Sequence, residues 1–170
     1  FKENKALINQ LPLEFDGFIQ LVDNGQEYDL KFKTPTSSFQ NFLGLIPSAY
    51  AGNLKDVKTT GDFTVAGFAK GIYSDKTVPK FNLAIASNNA SFQYPNLPKS
   101  VQNIVIDTKI INETGLLNDT YVNLDRLSFK IDQDIFNAKA NIRNISENPL
   151  VNAELKGIIN LSNVSKAYPI

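Results

Sequence analysis

The stretch from Phe81 to Gly115, FNLAIASNNASFQYPNLPKSVQNIVIDTKIINETG, is the part of this sequence that most narrows the fold. Apolar side chains alternate at Phe81, Leu83 and Ile85, lapse at Ser87-Asn88-Asn89, and alternate again at Ala90, Phe92 and Tyr94 before Pro95. Successive side chains of a strand point to opposite faces, so this period of two predicts a strand, a corner and a second strand. A loop holding Pro95 and Pro98 then feeds a third strand, with Ile104, Ile106 and Ile110 expected on one face and Val101, Val105 and Ile111 on the other.

The flanking segments read the same way. Leu11, Leu13, Phe15, Ile19 and Leu21 precede Asp23-Asn24-Gly25, and Tyr28, Leu30 and Phe32 follow it. Asn-Gly between alternating runs predicts a hairpin with a type I′ turn, whose two central residues need positive φ. Thr36, Ser37 and Ser38 offer capping oxygens for a helix over residues 36–46, in which Phe39, Phe42, Leu43 and Ile46 recur at three- and four-residue spacing before Pro47. From Gly61 to Ile72, Phe63 and Val65 share a face, and Gly61, Gly67 and Gly71 suggest bulges or bends.

Beyond Gly115 come three further segments, Tyr121 to Asp132, Phe136 to Ile145 and Leu150 to Leu161. Val122 and Leu124 are out of phase with Leu127, Phe129 and Ile131, so a bulge near Asp125-Arg126 is needed to hold the apolar set on one face. In the last segment Val151, Ala153, Leu155, Ile159 and Leu161 face one way, and Asn152, Glu154 and Lys156 the other, the one-dry, one-wet pattern of antiparallel sheets. Residues 162–167 could close the chain with a helical turn. Eight or nine strands and two short helices are expected, and the short connections favour a meander.

Composition excludes several chemistries. Seventeen basic and 17 acidic residues leave no net field to attract nucleic acid. Without cysteine there is neither a disulfide framework nor a thiolate metal site, and without histidine the Ser-His-Asp and Cys-His nucleophilic systems and histidine-ligated zinc fall away. Carboxylate pairs such as Asp132 with Asp134, or Asp119 with Asp125, stand beside expected turns, where acids commonly serve only to solvate and to hydrogen-bond locally. Asp132-Gln133-Asp134 lacks the glycine and closing glutamate of a calcium loop, and the glycine spacing fits no phosphate-binding loop. Six Asn-x-Ser/Thr sequons, at Asn89, Asn112, Asn118, Asn144, Asn160 and Asn163, are read as chance in an Asn-rich chain. Phe92 and Tyr94 beside Asn88 and Asn89 would suit sugar stacking, although aromatic alternation on a strand is more often core packing. No catalytic residue, metal or cofactor is assigned. Methionine is absent and the chain begins at Phe1, so it is expected to be a piece of a longer precursor.

Residues 87–98, SNNASFQYPNLP, followed by Val101-Gln102-Asn103-Ile104, resemble the C-terminal region of the AsmA-like envelope proteins of Bacteroidetes, in which Phe-x-Tyr-x-x-Leu-Pro leads into a strand. Asn148-Pro149, Lys156-Gly157, Leu161 and Tyr168-Pro169 are similar to a further pattern of that family, as are residues 42–47, FLGLIP, with Gly61, Phe63 and Gly71. Asn148 and Asn160 stand where the family usually has acids. The resemblance implies a periplasmic body of repeating β-groove units, anchored in the inner membrane by a segment outside this chain, in which an apolar groove lets lipid tails slide between membranes.

The expected fold is mainly β: a single domain over residues 1–170 with a curved antiparallel meander, β-groove-like or a partly closed sandwich, and one or two short helices, that of residues 36–46 against its concave side or end. The expected function is non-enzymatic lipid handling for outer-membrane assembly or lipid transport, with Phe63, Val65, Phe81, Leu83, Ile104, Ile106, Leu155 and Ile159 lining the groove. Expected partners are phospholipid or another membrane lipid, neighbouring repeats of the same longer chain and outer-membrane components, with no nucleic acid. The alternatives are a carbohydrate-binding or adhesin-like sandwich and a structural spacer.

Overall fold

The computed structural model describes residues 2, 4–8, 11–43, 57–95, 97–145, 147–158 and 160. They form one antiparallel sheet of eleven strands: β1 (Asn4–Ile8), β2 (Leu11–Val22), β3 (Gly25–Lys33), β4 (Ser37–Ser38), β5 (Lys58–Thr60), β6 (Asp62–Tyr73), β7 (Lys80–Gln93), β8 (Val101–Asn112), β9 (Tyr121–Ile131), β10 (Asp134–Arg143) and β11 (Leu150–Gly157). The order is β1-β2-β3-β6-β7-β8-β9-β10-β11, with β4 beside β6 and β5 beside β7. This is the expected meander. Because β1 and β11 stand at opposite ends and do not pair, the sheet is open rather than a closed sandwich. Among the described residues no helix is long and apolar enough to cross a membrane.

The hairpin at residues 22–25 lies where expected, but its turn differs. Val22 pairs with Gly25, Asp23 and Asn24 are the central residues, and neither has positive φ. That requirement moves to Gly25, at φ +151°, where a Cβ would stand 2.0 Å from the Tyr73 carbonyl oxygen. The turn is therefore not type I′. At the β9–β10 hairpin Asp132 takes φ +55° as the first central residue, the demand of a type II′ turn.

The expected bulge at Asp125 is present. Asp107 pairs with Arg126 and Thr108 with Leu124, so Asp125 is the extra residue and the apolar set stays on one face. The corner expected at Ser87-Asn88-Asn89 is instead a bulge within the single 14-residue strand β7. Ser87 faces Ile106 and Ala90 faces Ile104, leaving one residue of β7 unmatched. β8 then restores the count, because Phe92 faces Val101 and Asn103, at φ +52°, takes up the slack. This swings Val101 onto the same face as Ile104, a correction to its expected side. Bulges bend their strands and sharpen the twist, so the sheet curves here. Gly61 sits against the β7 bulge at φ +88°, where a Cβ would meet the Asn89 carbonyl oxygen at 2.4 Å. Gly67 and Gly71, expected to mark bulges or bends, lie in β6 without a break of register to β3, and Gly67 also stays in register with β7.

The helix begins three residues later than expected. Ser37 and Ser38 form β4, and α1 spans Phe39–Leu43, with the Ser38 hydroxyl accepting a 3.4 Å hydrogen bond from the Asn41 N–H as an N-cap. Ile46, and the closing turn expected over residues 162–167, lie outside the described residues. α1 packs on one end of the apolar face, and Leu11, Phe39, Phe63, Val65, Ala90 and Ile104 form the buried core there. Where β3 ends, Thr34 stands in for the ladder: its N–H donates to the Val65 carbonyl at 2.7 Å, and its hydroxyl accepts from the Val65 N–H at 2.8 Å.

Between β8 and β9 the chain turns through a short 3-10 segment, Leu117–Asp119, organised by one buried side chain. Asn112, 1% exposed, donates its amide to the Leu116 carbonyl (2.7 Å) and the Thr120 hydroxyl (2.9 Å), and accepts from the Gly115 N–H (2.7 Å). Leaving buried partners unpaired costs about 1–3 kcal/mol each, so Asn112→Ala is expected to destabilise the fold by roughly 2–4 kcal/mol. Asn118→Ala, on the exposed part of the same turn, should change it by less than about 0.5 kcal/mol, measured by chemical denaturation.

Candidate functional site: an open apolar face

Register determines which side chains share a face. Phe15 faces Phe32, Phe32 faces Gly67, Gly67 faces Leu83, Leu83 faces Ile110, Ile110 faces Val122, Val122 faces Ile142 and Ile142 faces Val151. An apolar row thus runs from β2 to β11. The next row, on the opposite face, reads Glu14, Lys33, Ala66, Ala84, Lys109, Asn123, Asn141 and Asn152. Ion pairs stand on that polar face, among them Lys70 Nζ with Asp29 Oδ2 at 2.7 Å and Lys156 Nζ with Glu154 Oε1 at 2.6 Å. The hydrogen bond to Asp29 raises the Lys70 ammonium above its ordinary range, and that from Lys156 lowers the Glu154 carboxyl.

The core under α1 covers only part of the apolar face. Away from it, β3, β6 and β7 enclose a depression of about 340 Å³. Tyr28, Leu30 and Phe32 of β3 make one wall, Phe81 and Leu83 of β7 the other, and Ala69 of β6 the floor. The shape follows from the sequence: β6 places Gly67, Ala69 and Gly71 on this face, between strands that place bulky side chains. At its rim the Tyr28 hydroxyl donates to Gln26 Oε1.

The residues expected to line a groove all lie on this one face where they are described, but in different surroundings. Phe63, Val65 and Ile104 are buried in the core beneath α1. Leu83 and Ile106 are half-buried at the core's flank, and Phe81 is half-buried in the wall of the depression. Leu155 on β11 is 68% exposed, so the side of β11 read as dry is open to water. Ile159 lies outside the described residues. Tyr28, Leu30, Phe32 and Ala69 were not among the expected lining, and the signal for them was the run of small residues at alternate positions of β6.

Three of the four candidate carboxylates have local partners. Asp132 accepts from Lys99 Nζ at 3.1 Å, Asp125 pairs with Lys109 at 3.6 Å, and Asp134 accepts from the Asn160 N–H at 3.1 Å. Among the described residues no three acids gather as a metal site. Phe92 is half-buried against the core and meets Tyr94 edge-on with ring centroids 6.1 Å apart, so its ring is engaged within the protein. No family model, curated protein or solved structure matches the chain.

Core and open face should separate in stability measurements. Phe63→Ala is expected to cost about 3–5 kcal/mol, as for a large core side chain. Leu155→Asp, on an exposed position, should stay within about 0.5 kcal/mol of the parent in denaturant unfolding of dilute, monomeric protein.

Proposed function

We propose that this chain is a lipid-handling β-groove unit of an AsmA-like envelope protein, and that its open apolar face holds acyl chains for transport or outer-membrane assembly in the periplasm. The observation behind this reading is the unbroken apolar row across an open sheet, part of it hollowed into a depression without charged lining. A soluble protein seldom leaves so continuous an apolar surface without an occupant. Each methylene buried there contributes about 0.8 kcal/mol, so a dozen give on the order of 10 kcal/mol before ordering costs. Such binding needs no catalytic group and no specific polar contact, in keeping with a non-enzymatic role. Neighbouring units of a longer chain would continue the same face, and outer-membrane components would receive the cargo.

The test is native mass spectrometry of the protein purified from a bacterial envelope fraction. Phospholipid should co-purify at a reproducible stoichiometry, and Ala69→Phe, which fills the floor of the depression, should lower its occupancy severalfold while leaving the circular dichroism spectrum unchanged. A protein that emerges lipid-free and also refuses added phospholipid would overturn the proposal.

A further inference from the structure

Among the described residues β11 is paired on one side. β10 matches it from Phe136 with Gly157 to Arg143 with Leu150, without a register shift, and among the described residues no strand lies on its other side. A bare edge is a row of unpaired N–H and C=O groups that accepts another strand, and proteins usually blunt it with proline, a bulge, edge charges such as lysine, or an inward-pointing charge. β11 has no proline or bulge, and its core-side positions Val151, Ala153 and Leu155 are uncharged. Every residue from 150 to 158 is exposed.

The charges of β11 choose its partner. We infer that β11 pairs antiparallel with β11 of a second copy of this chain, about a two-fold axis at Leu155. In that register Leu155 meets the partner's Leu155, Ala153 meets the partner's Gly157, and Glu154 meets the partner's Lys156. The two-fold repeats the last pair, so four charges alternate in sign around the axis on the polar face. Moving the axis to Glu154 would oppose two carboxylates, and moving it to Lys156 would oppose two ammonium groups; like charges directly opposite are destabilising. An axis at Ala153 would set Glu154 against Asn152 and leave no opposite-charge pair. Only the Leu155 register among these matches charge with charge, and it joins the two apolar faces into one surface of twice the width. The inference rests on the edge and its charges, not on the lipid reading.

Sedimentation equilibrium of the delipidated chain over a wide concentration range tests it. A monomer–dimer equilibrium is expected. Glu154→Lys alone and Lys156→Glu alone should each weaken the dimer roughly tenfold, because the symmetry doubles every substitution, and the combined reversal should restore it. All these positions are exposed, and circular dichroism checks that each variant keeps its fold. A chain that stays monomeric throughout would overturn the inference, as would a dimer indifferent to the single reversals or one that the combined reversal does not rescue. None of these results bears on phospholipid co-purification, so the two readings fail separately.

Discussion

Side-chain parity along the strands is the constraint on which this structure depends. In an antiparallel ladder a slip of one residue sends every later side chain to the opposite face. Here the ladder from β2 to β11 keeps apolar residues on one face through two bulged regions. Asp125 absorbs the phase break between Leu124 and Leu127, and an extra residue of β7 near Asn88-Asn89 is answered by Asn103 on β8. Without those adjustments Val122 and Leu124 would turn to the wet face while Leu127 and Phe129 stayed in the core. The bulges therefore preserve the chemical distinction between the faces, and in doing so they bend the sheet.

A sheet with one dry face must cover it or leave it open, and this chain does both. α1 covers one end of that face. It is held by the Ser38 cap, by the Phe39 N–H donating to the Gly61 carbonyl at 2.9 Å, and by burial of Phe39 among Leu11, Phe63, Val65 and Ile104. That end supplies the core and thus the fold. Among the described residues the opposite ends of β3, β6 and β7 have no such cover, and the small side chains of β6 hollow the surface there. One apolar face thus has a stabilising end under α1 and an end left open.

Much of this was legible in the residues because parity is written directly into them. The meander, the hairpin at Asp23-Asn24 and the bulge at Asp125 all follow from where alternation runs and where it skips. β1 was missed because Asn4-Lys5-Ala6-Leu7-Ile8 alternates weakly and bears a lysine. The β7 bulge was read as a corner because both interrupt alternation in the same way, and only pairing to β8 distinguishes them. Covered and uncovered positions could not be separated: Phe63 and Phe81 occupy equivalent places in their strands, yet one lies under α1 and the other in an open wall. Burial there depends on where α1 docks, and that is a tertiary fact. The sequons show the same limit, since Asn112 proves to be the buried hub of a turn.

The central claim is that the apolar face away from α1 takes up acyl chains while the polar face does not. Paramagnetic relaxation in nitrogen-15 spectra, with a fatty acid spin-labelled near its methyl end as ligand, tests it most directly. Broadening is predicted around Ala69, Leu83 and Ile110 at low stoichiometry, with Asn137 and Lys139 on the polar face of β10 little affected. Broadening spread evenly over both faces, or none at saturating ligand, would contradict the account.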